Sequence, residues 1–185
     1  MRLFPPHLPV SSIAMTLSKR ATKWLMRLTA EGADKNYDIE RSRLPEDRVG
    51  RLPIYGDPPF VRDVKYALSQ LQTAYPYGYS LVQRYIRGIV QSDTNPSRGT
   101  ANAVVYRQTG SDGSLGVPPN WFAAALVRRA VAMRKLHNFQ IWRSPRSALG
   151  SLNRELRAMR LLGCDPKYFH RQTNKILQLE RKIRG

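Results

Sequence analysis

Between Pro145 and Leu162 the chain carries four arginines, Arg146, Arg154, Arg157 and Arg160, against one acid, Glu155. Guanidinium groups stay charged at any physiological pH, and their planar fork can hold two phosphate oxygens at once. Their chemistry here is the binding of a polyanion, not proton transfer. The same stretch carries a second pattern. Leu149, Leu152, Leu156 and Met159 recur at three- and four-residue spacing, with Leu162 just off the line, which predicts one apolar stripe along a helix. A charged face that met only solvent would usually mix its signs. Four arginines to one acid point instead to an anionic partner.

Other cations extend this set. Arg128, Arg129, Arg134 and Lys135 fall on the polar side of a predicted helix from Trp121 to about His137, Arg143 lies just beyond it, and Lys167 and Arg171 open the last helix. Lys19 and Arg20 stand in the N-terminal segment. With the four arginines above, these are the candidate RNA-binding residues. No catalytic set competes with them. The three histidines, His7, His137 and His170, are scattered, and no zinc-protease helix, paired-cysteine motif or nucleophile elbow occurs. The glycine-rich "TGSDGSLGVPPN" (109–120) lacks the lysine and the spacing of a phosphate-binding loop. Cys164, the only cysteine, excludes an internal disulfide and reads as a small residue packed at a helix junction. No metal and no cofactor is expected.

The whole chain bears the same signature. Its 185 residues suffice for one ordinary domain with tails, and the net charge is +18. Such a charge repels itself in a free enzyme but releases counterions at every phosphate it neutralises in a nucleic acid. It is unevenly placed. Residues 121–185 hold 15 Lys or Arg against 3 acids, residues 1–30 hold 5 against none, and residues 31–120 hold 11 against 10. Nucleic-acid contacts are therefore expected at the ends and protein contacts in the middle. No run of about 18 apolar residues exists, so no membrane span is expected.

The first thirty residues are basic, rich in hydroxyls and free of acids, the traits of a mitochondrial or plastid transit peptide. From Ser18 they can form a helix with Trp24, Leu25 and Leu28 on one side. Two readings stay open: an address that is removed, or a retained basic arm that orders on its partner.

The elements that must position the cations are set by turn chemistry. Ser144-Pro145 and Asp165-Pro166 are helix starts, and Gly163 is a helix stop. Asn120 is read as the cap of the helix before them, whose buried side is Trp121, Phe122, Ala125, Leu126, Met133 and Leu136. Phe169, Ile176, Leu177 and Ile183 line the last helix. Upstream, Asp57-Pro58-Pro59 opens a helix with Phe60, Val61, Val64, Leu68 and Leu71 on one stripe. "YPYGYS" (75–80) is read as a turn, with Ser80 capping a second helix whose inner face is Leu81, Val82, Tyr85, Ile86 and Ile89. The tyrosines of that turn either close the hairpin or stack on bases. "ANAVVYRQ" (101–108) reads as a short strand.

The predicted fold class is therefore mainly α. A helical hairpin and a C-terminal bundle of about three helices come after an extended basic N-terminal arm. The divisions are 1–30, the arm or targeting segment; 31–59, an irregular surface segment; 60–120, the hairpin and glycine-rich loop; and 121–185, the basic helical region.

The C-terminal order also has a counterpart. "TGS" at Thr109–Ser111, "LHNF" (136–139), "SPRSAL" (144–149), "RELRAMRLL" (154–162) and "DPKY" (165–168) succeed one another. This order resembles that of the bacterial-type small-subunit ribosomal protein number fifteen. The resemblance implies an all-helical protein on a junction of small-subunit rRNA, with Thr109, Gly110, Ser111, His137, Ser144 and Arg146 at RNA-touching positions. The chain departs from that family in a short segment between His137 and Ser144, in the inserted "DGSLGVPPN", and in the tyrosine spacing after Asp165.

Together these readings lead to one expectation. The chain is a structural, non-enzymatic constituent of an organellar ribosome in the mitochondrial matrix, rather than in a plastid. Its partners would be rRNA and neighbouring ribosomal proteins, with no small-molecule substrate. The alternatives are an accessory subunit of a mitochondrial respiratory complex, and an RNA-processing enzyme or its cofactor.

Overall fold

A computed structural model describes residues 37–39, 41–92, 98–99, 104–107, 109–137 and 145–184. The fold is mainly helical, as the sequence predicts, with a small sheet the helical periodicity did not reveal. Strands β1 (Glu46–Val49) and β2 (Leu52–Tyr55) form an antiparallel hairpin in register Val49↔Leu52. Gly50 turns it at φ +61°, a value that suits glycine. The segment 31–59, read as irregular, is thus corrected. Its prolines hid the hairpin, because Pro53 lies inside β2 opposite Arg48, where proline normally argues against a strand.

Helix α1 (Pro58–Ala74) comes next, its proline start and apolar stripe as expected. Phe60, Val61, Val64, Ala67, Leu68 and Leu71 are all buried. Tyr75 ends it at φ −146°, because the residue before a proline is pushed out of helical space. Helix α2 (Pro76–Tyr85) begins at once, so Ser80 lies inside the helix and does not cap it. Pro76 fits a first helical position, and Gly78 is needed where a Cβ would sit 2.5 Å from the Tyr75 ring. Ile86 and Ile89, expected on the inner face of this helix, lie beyond its end. Ile86 is extended, and Ile89 lies in strand β3 (Gly88–Gln91), buried along its whole length. A short apolar run does not say by periodicity whether it is a buried strand or a helix segment.

Strand β3 pairs in parallel with β2 (Ile54↔Ile89) and with β5 (Val104–Arg107; Ile89↔Val105), while the two-residue β4 (Arg98–Gly99) pairs antiparallel with β5. The order is β1-β2-β3-β5-β4, so α1 and α2 form the crossover between parallel strands. Their apolar faces meet Leu52, Ile54, Ile89 and Val105 in the main core. Tyr37, Tyr55, Val90 and Val104 form a smaller cluster with Leu44 packed on it.

Helix α3 (Pro119–His137) ties this layer to the C-terminal helices. It packs on α1 and α2 and also on α4 (Pro145–Leu161). Burial therefore runs round most of it, taking in Phe122, Ala123, Ala124, Leu126, Val127, Ala130, Val131 and Met133. Trp121 and Ala125, expected inside, are only half-buried, and Leu136's side chain lies outside the described residues. Helix α4 ends at Gly163, whose φ is +60°. Cys164 N–H donates to the Met159 carbonyl at 3.0 Å and Gly163 N–H to the Arg160 carbonyl at 3.3 Å, the paired closure of a glycine-stopped helix. Helix α5 (Pro166–Arg184) starts on Asp165, whose carboxylate accepts from Lys167 N–H at 2.9 Å, and packs back along α4.

Candidate nucleic-acid interface

Among the described residues, a group of cations gathers where the α1–α2 junction meets α3 and α4. Tyr77, on the first turn of α2, is 45% exposed. Its hydroxyl accepts from Arg134 of α3 at 3.0 Å. The Arg154 guanidinium of α4 lies 5.3 Å from the Tyr77 ring centroid, and that of Arg157 lies 5.7 Å from the buried Tyr75 ring. The two tyrosine rings are 6.1 Å apart, tilted by 46°. Lys135 completes the group, its Nζ close above Gly150, 3.0 Å from where a Cβ would sit.

The partners of these arginines decide what they can do. Each guanidinium set on a ring face gains about 0.5–1 kcal/mol at an exposed site. An aromatic face orients a cation without cancelling its charge, as a carboxylate would. Among the described residues no salt bridge joins Arg134, Arg154 or Arg157 to an acid. Burial and neighbouring charge shift two groups here. Burial would raise the Tyr77 phenol, but hydrogen bonds and charge from Arg154 and Arg134 outweigh it and leave it below the ordinary tyrosine value. Burial first, then the charge of Arg154, pushes the Lys135 ammonium down. An anion placed here would meet oriented donors and little competing negative charge.

The other candidate cations divide differently. Arg128 reaches the Glu155 carboxylate at 3.3 Å, so its charge is already answered. Arg129, expected on the exposed basic side of its helix, is half-buried. Burial, with Arg128 beside it, pushes its guanidinium down to about 10. A phosphate-gripping arginine has no reason to be sunk this way, and its side chain belongs to the packing of α3. Lys167 pairs with Asp165 at 3.1 Å. Arg146, Arg160 and Arg171 are exposed, Arg146 at the start of α4 and Arg160 at its end. Arg143, Lys19 and Arg20 lie outside the described residues. The structure therefore brings together Arg134, Lys135, Arg154 and Arg157, and separates the rest. What sequence reasoning underrated was Tyr75 and Tyr77. Their signal was present in the "YPY" run, but only the packing of α3 and α4 supplies the arginines around it.

Of the residues implied by the family resemblance, Thr109, Gly110, Ser111 and Arg146 lie wholly among the described residues. Thr109–Ser111 belong to a self-contained turn in which Gly110 N–H donates to the Ser114 carbonyl at 3.0 Å. This turn precedes the start of α3, where the Asn120 amide reaches the Leu162 carbonyl at the far end of α4. Arg146 is at the opposite end, the length of a 17-residue helix or about 25 Å away. Ser144 and the His137 side chain lie outside the described residues. The sheet, too, has no place in the all-helical protein that the resemblance implies.

Among the described residues no three His, Cys, Asp or Glu side chains gather where a metal could sit, and no helix is long and apolar enough to cross a membrane. Cys164 is buried, and burial, with Glu155 nearby, pushes its thiol up to about 11. It is a packed residue at the α4–α5 junction and a poor nucleophile. The chain matches no protein-family model, no curated protein and no solved structure.

Proposed function

We propose that the protein is a structural RNA-binding constituent of an organellar ribosome, held on rRNA by its C-terminal helices. One observation carries this reading: three arginines, Arg134, Arg154 and Arg157, are oriented by tyrosine and, among the described residues, paired with no acid, on a chain of net charge +18. Arginine contacts of this kind fix a protein on the sugar–phosphate backbone without reading sequence, which suits a component of a fixed assembly. The near-neutral sheet and hairpin region, residues 31–120, is suited to neighbouring proteins. The acid-free N-terminal segment supports delivery to the mitochondrial matrix.

Sedimentation of the tagged full chain from a mitochondrial lysate tests this. The protein is expected to travel with a ribosomal subunit and to shift to light fractions after ribonuclease treatment. Co-migration with a respiratory complex, unchanged by ribonuclease, would overturn the reading and favour the accessory-subunit alternative.

A further inference from the structure

An arginine patch made only to grip phosphates needs no exposed aromatic ring at its centre. This one has Tyr77, 45% exposed. Among the described residues, the other strongly exposed tyrosine is Tyr66 on α1, 56% exposed, and its hydroxyl pairs with the Gln70 amide at 2.9 Å. Tyr77 differs in being held from several sides. Arg134 donates to its hydroxyl, Arg154 lies over one face of its ring, and the Tyr75 ring is 6.1 Å away, tilted by 46° to it. Gly78, next in sequence, has no Cβ that would collide with the Tyr75 ring and pry the pair apart. A ring fixed in this way loses little freedom when something flat is laid on it, so most of the contact energy is kept.

We infer that Tyr77 and the arginines around it are a seat for one unpaired nucleotide of RNA. The base stacks on the exposed part of the Tyr77 ring, and the flanking phosphates fall to Arg134, Arg154 and Arg157. The chemistry selects this ligand over its nearest rivals. Bases inside a duplex are stacked on each other and offer no face to a tyrosine, whereas bases in loops, bulges and ends do. Stacking tolerates any base, so the seat recognises the unpaired state rather than a sequence. An acidic peptide would satisfy the arginines but leave the ring without a planar partner. The inference rests on the RNA-binding reading above and goes beyond it by naming which part of an RNA the patch takes.

The test uses the full chain and three probes: a single-stranded oligouridine, a blunt RNA duplex and a polyglutamate peptide. The variants are Tyr77→Leu, Tyr77→Phe, Tyr66→Leu and the triple change Arg134→Gln, Arg154→Gln and Arg157→Gln, each checked for folding by its thermal transition. Tyr77→Leu should bind the single strand about tenfold more weakly, within the range for loss of one base–aromatic stack, and should lose clearly less affinity for the duplex. Tyr77→Phe keeps the ring and should keep most of the affinity, and Tyr66→Leu should change nothing. The triple variant should lose affinity for both RNAs. Ultraviolet crosslinking of iodouridine should label the peptide that contains Tyr77. Three results would overturn the inference. Equal single-strand binding by Tyr77→Leu and parent, with the triple variant still defective, leaves RNA binding standing but removes the seat. Polyglutamate bound as tightly as oligouridine makes the patch a peptide site. No binding to either RNA removes the inference together with the reading on which it rests.

Discussion

Glu155 shows how one residue can reverse its apparent meaning. In the sequence it is the lone acid among arginines. In the fold it is 1% exposed, on the face of α4 that meets α3 and α5. Gln172 donates to one of its oxygens at 3.2 Å and Arg128 approaches the other at 3.3 Å. Burial still dominates and raises its carboxyl above the ordinary value, against the pull of Arg128 and Lys175. A folded-state pKa above the unfolded one gives stability that is fully present below the unfolded value, about 4.3, and is lost as pH rises through the folded one. Glu155→Gln should therefore melt higher than the parent at neutral pH, with the difference closing near pH 4. Arg128→Ala should do the reverse and destabilise at neutral pH, because it strands a buried carboxylate. Its cost should be below the roughly 3–5 kcal/mol of a fully buried pair, since the Arg128 side chain is 40% exposed. Thermal melts of the three proteins across the acid-to-neutral range check both signs. A Glu155→Gln protein less stable than the parent at neutral pH would mean that the ion pair, not burial, governs this residue. Position 155 was legible in part, since it sits three residues after Leu152 and four before Met159, on the edge of the apolar stripe.

At the scale of the element, α4 separates its two jobs by face. Leu152 is 6% exposed and Met159 fully enclosed, whereas Leu149 and Leu156 are half-buried. Met159→Ala should cost roughly 2–5 kcal/mol by urea denaturation, as core truncations do, and Leu156→Ala clearly less. Arg154, Arg157 and Arg160 changed together to glutamine should leave the fold nearly intact and weaken RNA binding. The salt dependence should flatten by about one unit of slope for each true phosphate contact. Arg160 stands apart from the tyrosine cluster, so Arg154 and Arg157 should account for most of the loss. A triple variant that binds RNA like the parent at every salt concentration would make this arginine face mere solvent-facing surface. The boundaries of α1, α4 and α5 were readable because Pro58, Pro145 and Pro166 open them and Gly163 closes α4, each a local backbone rule. The β1–β2 hairpin and β3 were not readable, because a strand is defined by partners elsewhere in the chain.

At the scale of the whole molecule, α3 is the element that makes two parts one. It contributes Phe122, Leu126, Val127 and Ala130 to the same core as α1, α2 and the sheet, and packs on α4 as well. The basic helices are therefore not packed independently of the sheet layer, although their charge sets them apart in sequence. Residues 119–185 expressed alone should expose that apolar side and be less cooperative in unfolding than the full chain, with faster amide exchange in α3. A fragment with a full-chain melting transition and protected α3 amides would show that the sheet layer adds nothing to the stability of the basic C-terminal part.

The sequence by itself determined the mainly helical class, three helix starts, the one glycine stop and the excess of positive charge. These are short-range matters of backbone dihedrals, side-chain period and composition, which need no knowledge of what lies opposite. It could not rank the cations. Arg129 and Arg154 look alike on paper, and only the packing of α3 against its neighbours sinks the first into low dielectric and sets the second over Tyr77. It found one strand, β5 within 101–108, but not the sheet, whose hydrogen bonds join residues as far apart as Ile54 and Ile89. Whether a charge is available, neutralised or buried depends on distances across elements, and those exist only once the chain has folded.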